Sequence, residues 1–208
     1  MMENTDHFDA AQPSRKVVAN ISLSLDGRVN GPGGEYDMSW IVPHAVTNAA
    51  RDHMISVTRP ATTVLLGRKN YQGFGSFWPA VAADESADPR DRAFSKWLNS
   101  TEMIVFSSTL SEAAWENSRI VNADPCEVVS ELRQQEGGDI IVLASGSVIK
   151  ALLRGGCLDR LSITLCPEVA GGGARLFEDG LPPSSWSLSR SQVTESGALS
   201  LIYVRRGE

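Results

Sequence analysis

Five stretches of the chain are rich in β-branched and apolar residues: KVVANISLSL, ATTVLLG, EMIVFSS, DIIVLAS and DRLSITLCPEVA. Between most of them the apolar positions take helical spacing, so the pattern reads as strands alternating with helices. Helices are expected over about 43–57, 67–73, 91–99, 125–136 and 147–154, with Pro43 suited to a first turn and Gly155-Gly156 to a stop. Such alternation predicts an α/β fold with a largely parallel, buried sheet and crossover helices. The last third reads differently. Residues 186–195 and 198–205 form two strand-like runs joined at Ser196-Gly197, an antiparallel C-terminal hairpin. The stretch AADESADPRDR, 82–92, has the low hydrophobicity of an exposed loop.

Length and composition narrow this to one unit. With 208 residues, 42% hydrophobic and 21% charged, the chain can bury a single core, and the polar opening MMENTDHFDAAQPSR reads as a flexible tail, 1–15, ahead of one domain, 16–208. The formal net charge of -6 argues against a nucleic acid or an anionic membrane surface as the main partner, because both need a concentrated positive field. No apolar run is long enough to span a bilayer, and the start lacks the pattern of a secretory signal. Cys126, Cys157 and Cys166 are odd in number and lack metal-ligand spacing. They read as reduced thiols of a cytoplasmic protein with no metal site.

Candidate chemistry sits at three strand ends. In open α/β sheets ligands bind beyond the carboxyl ends of strands, where helix N-termini offer free N–H groups and partial positive charge. Gly67 ends one strand, and Arg68, Lys69 and Asn70 open the next helix, where an anion relieves the unfavourable placing of cations. Ser107 and Ser108 follow a second strand. VLASGSVIKALLRGG supplies Ser145, Gly146 and Ser147 at a third. Each is also an ordinary turn or cap when taken alone. Together they suit a long polyanionic ligand such as a dinucleotide. Neither GxGxxG after a strand nor GxxxxGK[ST] is present, so any dinucleotide is held in another way.

These pieces, with NISLSLDGRVNGPGGE, LLGRKNYQGFGSFWP and LCPEVAGGGARLFEDG, make the chain resemble the dihydrofolate reductase-like superfamily. The branch it resembles most is that of the reductase domain of bacterial riboflavin biosynthesis deaminase/reductase. The resemblance runs from Lys16 to Arg206. It implies a three-layer fold whose mostly parallel central sheet ends in the antiparallel hairpin, a homodimer, and NADPH extended along the carboxyl edge. Gly67, Arg68, Lys69 and Asn70 match the family's phosphate loop, Ser107 and Ser108 the residues beside the adenosine ribose phosphate. Ser145, Gly146, Ser147, Val148 and Ile149 match its glycine-rich turn, where Ala144-Ser145 replace a pair of glycines common in the family. Arg68 beside the two serines favours NADPH over NADH.

The reacting end is less defined. Hydride reduction of a C=N or C=O bond needs a nicotinamide and a proton source, with no metal and no protein nucleophile. By the resemblance Asp26, in SLDG, lies near the nicotinamide as a catalytic candidate, although Asp-Gly is also a common turn pair. Asp52 falls near the place of the acidic residue that grips a pterin, and its neighbour His53 reads either as an acid or as a packed residue. Trp40, Tyr71, Phe74, Phe77 and Trp78 cluster around the first two motifs as an aromatic wall suited to a flat small-molecule substrate; core packing explains most of them equally well, and Trp40 and Tyr71 remain the pocket candidates. Glu168 reads as a cleft residue or an edge charge. The zinc deaminase signature HxE with PCxxC is absent, leaving only the reductase half. A nucleotide-binding module without turnover is the competing reading.

Overall fold

A computed structural model describes residues 15–207. Eight strands form one sheet in the order β4-β3-β2-β5-β1-β6-β8-β7. The strands are β1 (Val17–Leu23), β2 (Ala61–Gly67), β3 (Glu102–Phe106), β4 (Ser118–Val121), β5 (Asp139–Leu143), β6 (Arg160–Leu165), β7 (Trp186–Val193) and β8 (Leu199–Arg205). β1 to β6 run parallel to one another, while β8 is antiparallel to both β6 and β7. The mostly parallel sheet and its closing hairpin are therefore as the sequence implies.

Period-two alternation sorts each buried strand between two helical layers. Val17, Ala19, Ile21 and Leu23 of β1 join a cluster with Val128 and Leu132 of α5 (Pro125–Arg133) and Ile149 and Leu152 of α6 (Gly146–Arg154). Val18, Val64, Leu66, Met103 and Val105 face the opposite way. They meet Val57 of α2 (Asn48–Thr58), Tyr71 of α3 (Arg68–Val81), and Phe94 and Leu98 of α4 (Pro89–Ser100). A single turn, α1 (Val42–Ala45), precedes α2.

Several boundaries differ from the sequence reading. The expected helix over 43–57 is split at Thr47, whose hydroxyl accepts from the Ala50 N–H and restarts the chain as α2. α3 runs on to Val81, through Pro79, and Asp88 caps α4 so that Pro89–Arg92 is helix rather than loop. β4 went unread: it is a short edge strand with Arg119 exposed, carrying too little apolar pattern to announce itself. Residues 1–14 of the expected tail lie outside the described residues. Arg15 is buried, and its guanidinium donates to the Gly138 carbonyl at 2.7 Å and to the Thr63 hydroxyl at 2.6 Å, clamping the ends of β2 and β5.

The expectation of three reduced cysteines does not hold. Cys126, in the first turn of α5, is bonded to Cys157 beyond the end of α6, with the two Cα atoms 5.9 Å apart. Gly155 has no side chain to obstruct the Cys126 sulfur. Cysteine usage therefore gives no support to a reducing compartment. Cys166 is free and buried; burial, with Glu168 nearby, pushes its thiol up to about 11. No helix among the described residues is long and apolar enough to cross a membrane.

Candidate functional site

Chain order in the sheet creates the site. From β2 the chain moves outward to β3 through α3 and α4 on one face, whereas from β5 it moves the other way to β6 through α6 on the opposite face. β2 and β5 are neighbours, so their successor helices diverge and a crevice opens beyond their carboxyl ends. A cleft of about 490 Å³ lies there.

Eight of the expected cofactor residues line it: Gly67, Arg68, Lys69, Asn70, Ser107, Ser108, Gly146 and Ser147. Ser145 acts from behind. It is 1% exposed; its hydroxyl accepts from the Gly67 N–H at 2.9 Å and donates to the Leu143 carbonyl at 2.9 Å. One buried hydroxyl thus fixes the start of α3 beside the start of α6, and two sets of unsatisfied N–H groups converge on the cleft. Neither helix start has a side-chain cap. Val148 and Ile149 do not reach the cleft, because they point into the core as the first apolar residues of α6.

The remaining donors differ in availability. Ser107 spends its hydroxyl on the turn after β3, accepting from the Thr109 and Leu110 N–H groups. The hydroxyls of Ser108 and Ser147 are exposed and have no partner among the described residues. Among the described residues Arg68 meets only Gln72, at 3.3 Å. The site is rich in donors and cations, which fits it to hold phosphates.

Ala144 lines the same cleft with φ 53°, the left-handed region that a Cβ disfavours. It is the one non-glycine residue with positive φ among those described. Replacing Ala144 by Gly relieves about 1–2 kcal/mol of strain and returns part of that as unfolded-chain entropy. The expected outcome is a net gain of about 0.5–1 kcal/mol, measured by urea denaturation.

Two segments form the roof. Residues 27–30 run antiparallel to 174–176, with the Val29 N–H on the Ala174 carbonyl at 2.9 Å and the Leu176 N–H on the Gly27 carbonyl at 3.2 Å. Gly173, at φ 91°, permits this approach, since a Cβ there would run into the Asn30 carbonyl. Asp26 fastens the roof to β1. Its carboxylate accepts from the Ser24 hydroxyl at 2.6 Å and from the Ala170 and Gly171 N–H groups, and these bonds, the Ser24 one foremost, hold its carboxyl down at about 2. Asp26 is therefore ionised and fully engaged at neutral pH, a poor proton donor.

The other reacting-end candidates lie apart from the cleft. Asp52 is on the outer side of α2 and pairs with Arg90 at 3.0 Å; the buried positions of that helix are Ala49, His53, Val57 and Thr58. His53 is 3% exposed and meets the Ser162 hydroxyl at 2.8 Å, while burial, helped by Arg190, pushes its pKa down to about 4. Tyr71 is a core anchor, its hydroxyl bonded to Ser118 and accepting from the Trp115 N–H. Trp40 lies on the segment before α1, outside the cleft lining, with its indole N–H buried and unpaired. Glu168 contacts His44 at 3.1 Å, and His44 also meets the Ser196 hydroxyl at 2.8 Å, joining α1 to two turns at the carboxyl edge.

Sequence reasoning missed Asn30, Glu35, Met38, Lys150 and Arg175, all of which line the cleft. The glycine-rich stretches NGPGGE and AGGGAR were the available signal, since their backbones must pass close to one another to build a roof.

Comparison with known proteins agrees with this architecture. The uncharacterized protein YyaP of Bacillus subtilis (strain 168) is 26% identical over 191 residues, covering 91% of this chain and 94% of that one. A solved structure from Shewanella sp. PV-4, assigned to riboflavin biosynthesis, superposes with TM-score 0.70 at 20% identity over 92% of this chain and 99% of its own. Dihydrofolate reductase from Enterococcus faecalis, complexed with NADP(H) and RAB-propyl, gives TM-score 0.56 at 16% identity over 92% of this chain and 97% of its own. These two likenesses speak to the fold alone. The profile of the RibD C-terminal domain matches residues 15–200, and with the fold and the cleft in place the chain belongs to the RibD C-terminal domain family.

Proposed function

We propose that the protein is an NADPH-dependent reductase of a small heterocyclic or carbonyl compound, such as a ribosylaminopyrimidine or a dihydropterin. The observation that carries this reading is the convergence of the α3 and α6 N-termini, Arg68 and the free hydroxyls of Ser108 and Ser147 on one cleft. Family membership and the dihydrofolate reductase-like fold support a reductase. NADPH supplies the hydride. The chain's own residues hold its phosphates at the paired helix starts and shield the reacting end beneath the roof of residues 27–30 and 174–176.

Nicotinamide fluorescence on mixing with NADPH and NADH tests binding, and loss of absorbance with pyrimidine, pterin, quinone and simple carbonyl acceptors tests turnover. Absence of binding to either nucleotide overturns the proposal. Arg68→Ala is expected to weaken NADPH by about tenfold and NADH by much less, because a charged partner of the 2'-phosphate is lost; equal losses would remove that role from Arg68. A second reading is a module that binds NADP(H) without turnover. It is favoured by the state of Asp26 and Asp52, one ionised and engaged, the other paired outside the cleft. NADPH binding with no consumption by any acceptor class would select it. We also propose a cytoplasmic homodimer, for which sedimentation is the direct check of assembly.

A further inference from the structure

Two lysines that line the cleft are already held by carboxylates, one by Glu35 of the lining itself and one by Glu178, just past the second roof segment and outside the lining. Lys69, at the start of α3, forms an ion pair with Glu35 of the loop that follows β1. Lys150, one turn into α6, donates to Glu178 at 2.8 Å, and Glu178 also takes Arg154 at 2.6 Å. The two pairs stand on the two divergent helices and reach the two loops that continue from the roof segments, so each ties a helix of the floor to a different loop.

The loop bearing Glu35 is built to keep that carboxylate in place. Asp37 draws it into a tight turn, its carbonyl accepting from the Gly31 N–H at 2.8 Å and its carboxylate from the Gly33 N–H at 3.0 Å. Asn30, itself buried, donates to the Gly34 carbonyl at 2.7 Å and accepts from the Ala174 N–H at 2.8 Å, which locks the two roof segments together. On the other side, Lys150 and Arg154 hold the Glu178 carboxyl below the usual range. Each lysine thus has a carboxylate as its standing counter-charge.

We propose that Glu35 and Glu178 are resident partners of the cleft's lysines and occupy Lys69 and Lys150 until the phosphates of a bound ligand replace them. This rests on the cofactor reading above and adds an exchange step to it. A ligand carrying several phosphate groups can take both lysines at once. A ligand with one phosphate releases only one, so the glutamates select for polyanions as well as tuning their affinity. No covalent change is involved; two ion pairs break and two charge-assisted contacts form.

The test is the affinity of NADPH and of inorganic pyrophosphate for the wild type, Glu35→Gln, Glu178→Gln and Glu35→Gln in a Lys69→Gln background, at rising KCl. Removing a competing anion is expected to tighten NADPH about two- to fivefold in each single variant, the size of a partly exposed pair. Salt should weaken binding more steeply in the variants, because in the wild type it loosens the resident pair as well. The gain from Glu35→Gln should vanish when Lys69 is Gln, which separates release of that lysine from a general change in surface potential. Unchanged or weaker NADPH binding by folded single variants, judged by their melting temperatures, overturns the exchange while leaving the cofactor reading intact. If no variant binds NADPH or NADH, the cofactor reading fails, and pyrophosphate decides the exchange alone: tighter binding by both single variants sustains it, and equal binding refutes it.

Discussion

Breaking the bond between Cys126 and Cys157 is expected to lower stability by about 3 kcal/mol and the melting temperature by roughly 6–12 °C. The two cysteines are 31 positions apart, and closing a loop of that length removes substantial freedom from the unfolded chain. The enclosed segment contains α5, β5 and α6, and the bond ties the start of α5 to the end of α6 within one helical layer. Denatured protein should yield one alkylatable cysteine before reduction and three after it, Cys166 being the free one. Cys126→Ser and Cys157→Ser should then melt alike, and the double variant no lower than either, because each single change already removes the whole cross-link. Cofactor affinity should barely respond, since the bond lies at the far end of α6 from Gly146 and Ser147. A melting temperature indifferent to reductant, or three reactive thiols in the untreated protein, would contradict the expectation.

Acid should destabilise the fold through His53 well before most carboxylates protonate. The folded state holds this imidazole neutral, with a pKa pushed down to about 4 from an ordinary 6.5 by burial between α2 and β6, and by Arg190. Its folded pKa is depressed, so the unfolded chain binds the proton more readily between those two values. Stability is then independent of His53 above pH 6.5, falls as pH drops through the interval, and levels off below 4. At about 1.4 kcal/mol per pH unit the loss between pH 7 and pH 4.5 is on the order of 2–3 kcal/mol. Urea denaturation at both values checks it. His53→Gln keeps a polar partner for Ser162 and removes the titration, so its loss over the same interval should be smaller by about that amount; parallel pH profiles would refute the assignment.

How far the sequence carried this picture depends on how local each signal was. The buried parallel strands were readable because β2, β3 and β5 are apolar on both faces and have no competing period. The floor of the cleft was readable for a related reason: Gly67 to Asn70, Ser107-Ser108 and Gly146-Ser147 all stand directly at strand ends, where chemistry and turn residues coincide. Asp52 was misplaced because a helix phase is fixed by what it packs on, and the weakly apolar NAARDHMISV does not declare that His53 rather than Asp52 turns inward. The roof was invisible, since segments without periodicity are positioned by each other, as Asn30 and Ala174 are. The bonded cysteine pair depends on two helices meeting, which no spacing rule reports.

The position of β1 has a consequence for how the chain acquires its shape. It is the first strand among the described residues, yet its strand partners among them are β5 and β6, which begin at Asp139 and Arg160. Until those segments exist, VVANISL has apolar side chains on both faces and open hydrogen-bonding edges. The locally connected unit of β2, α3, α4, β3 and β4 can assemble earlier, with the centre of the sheet completed only when β1 is joined by β5 and β6. A fragment stopping short of Asp139 would carry an unprotected strand, and newly made chains are most exposed to self-association during that interval.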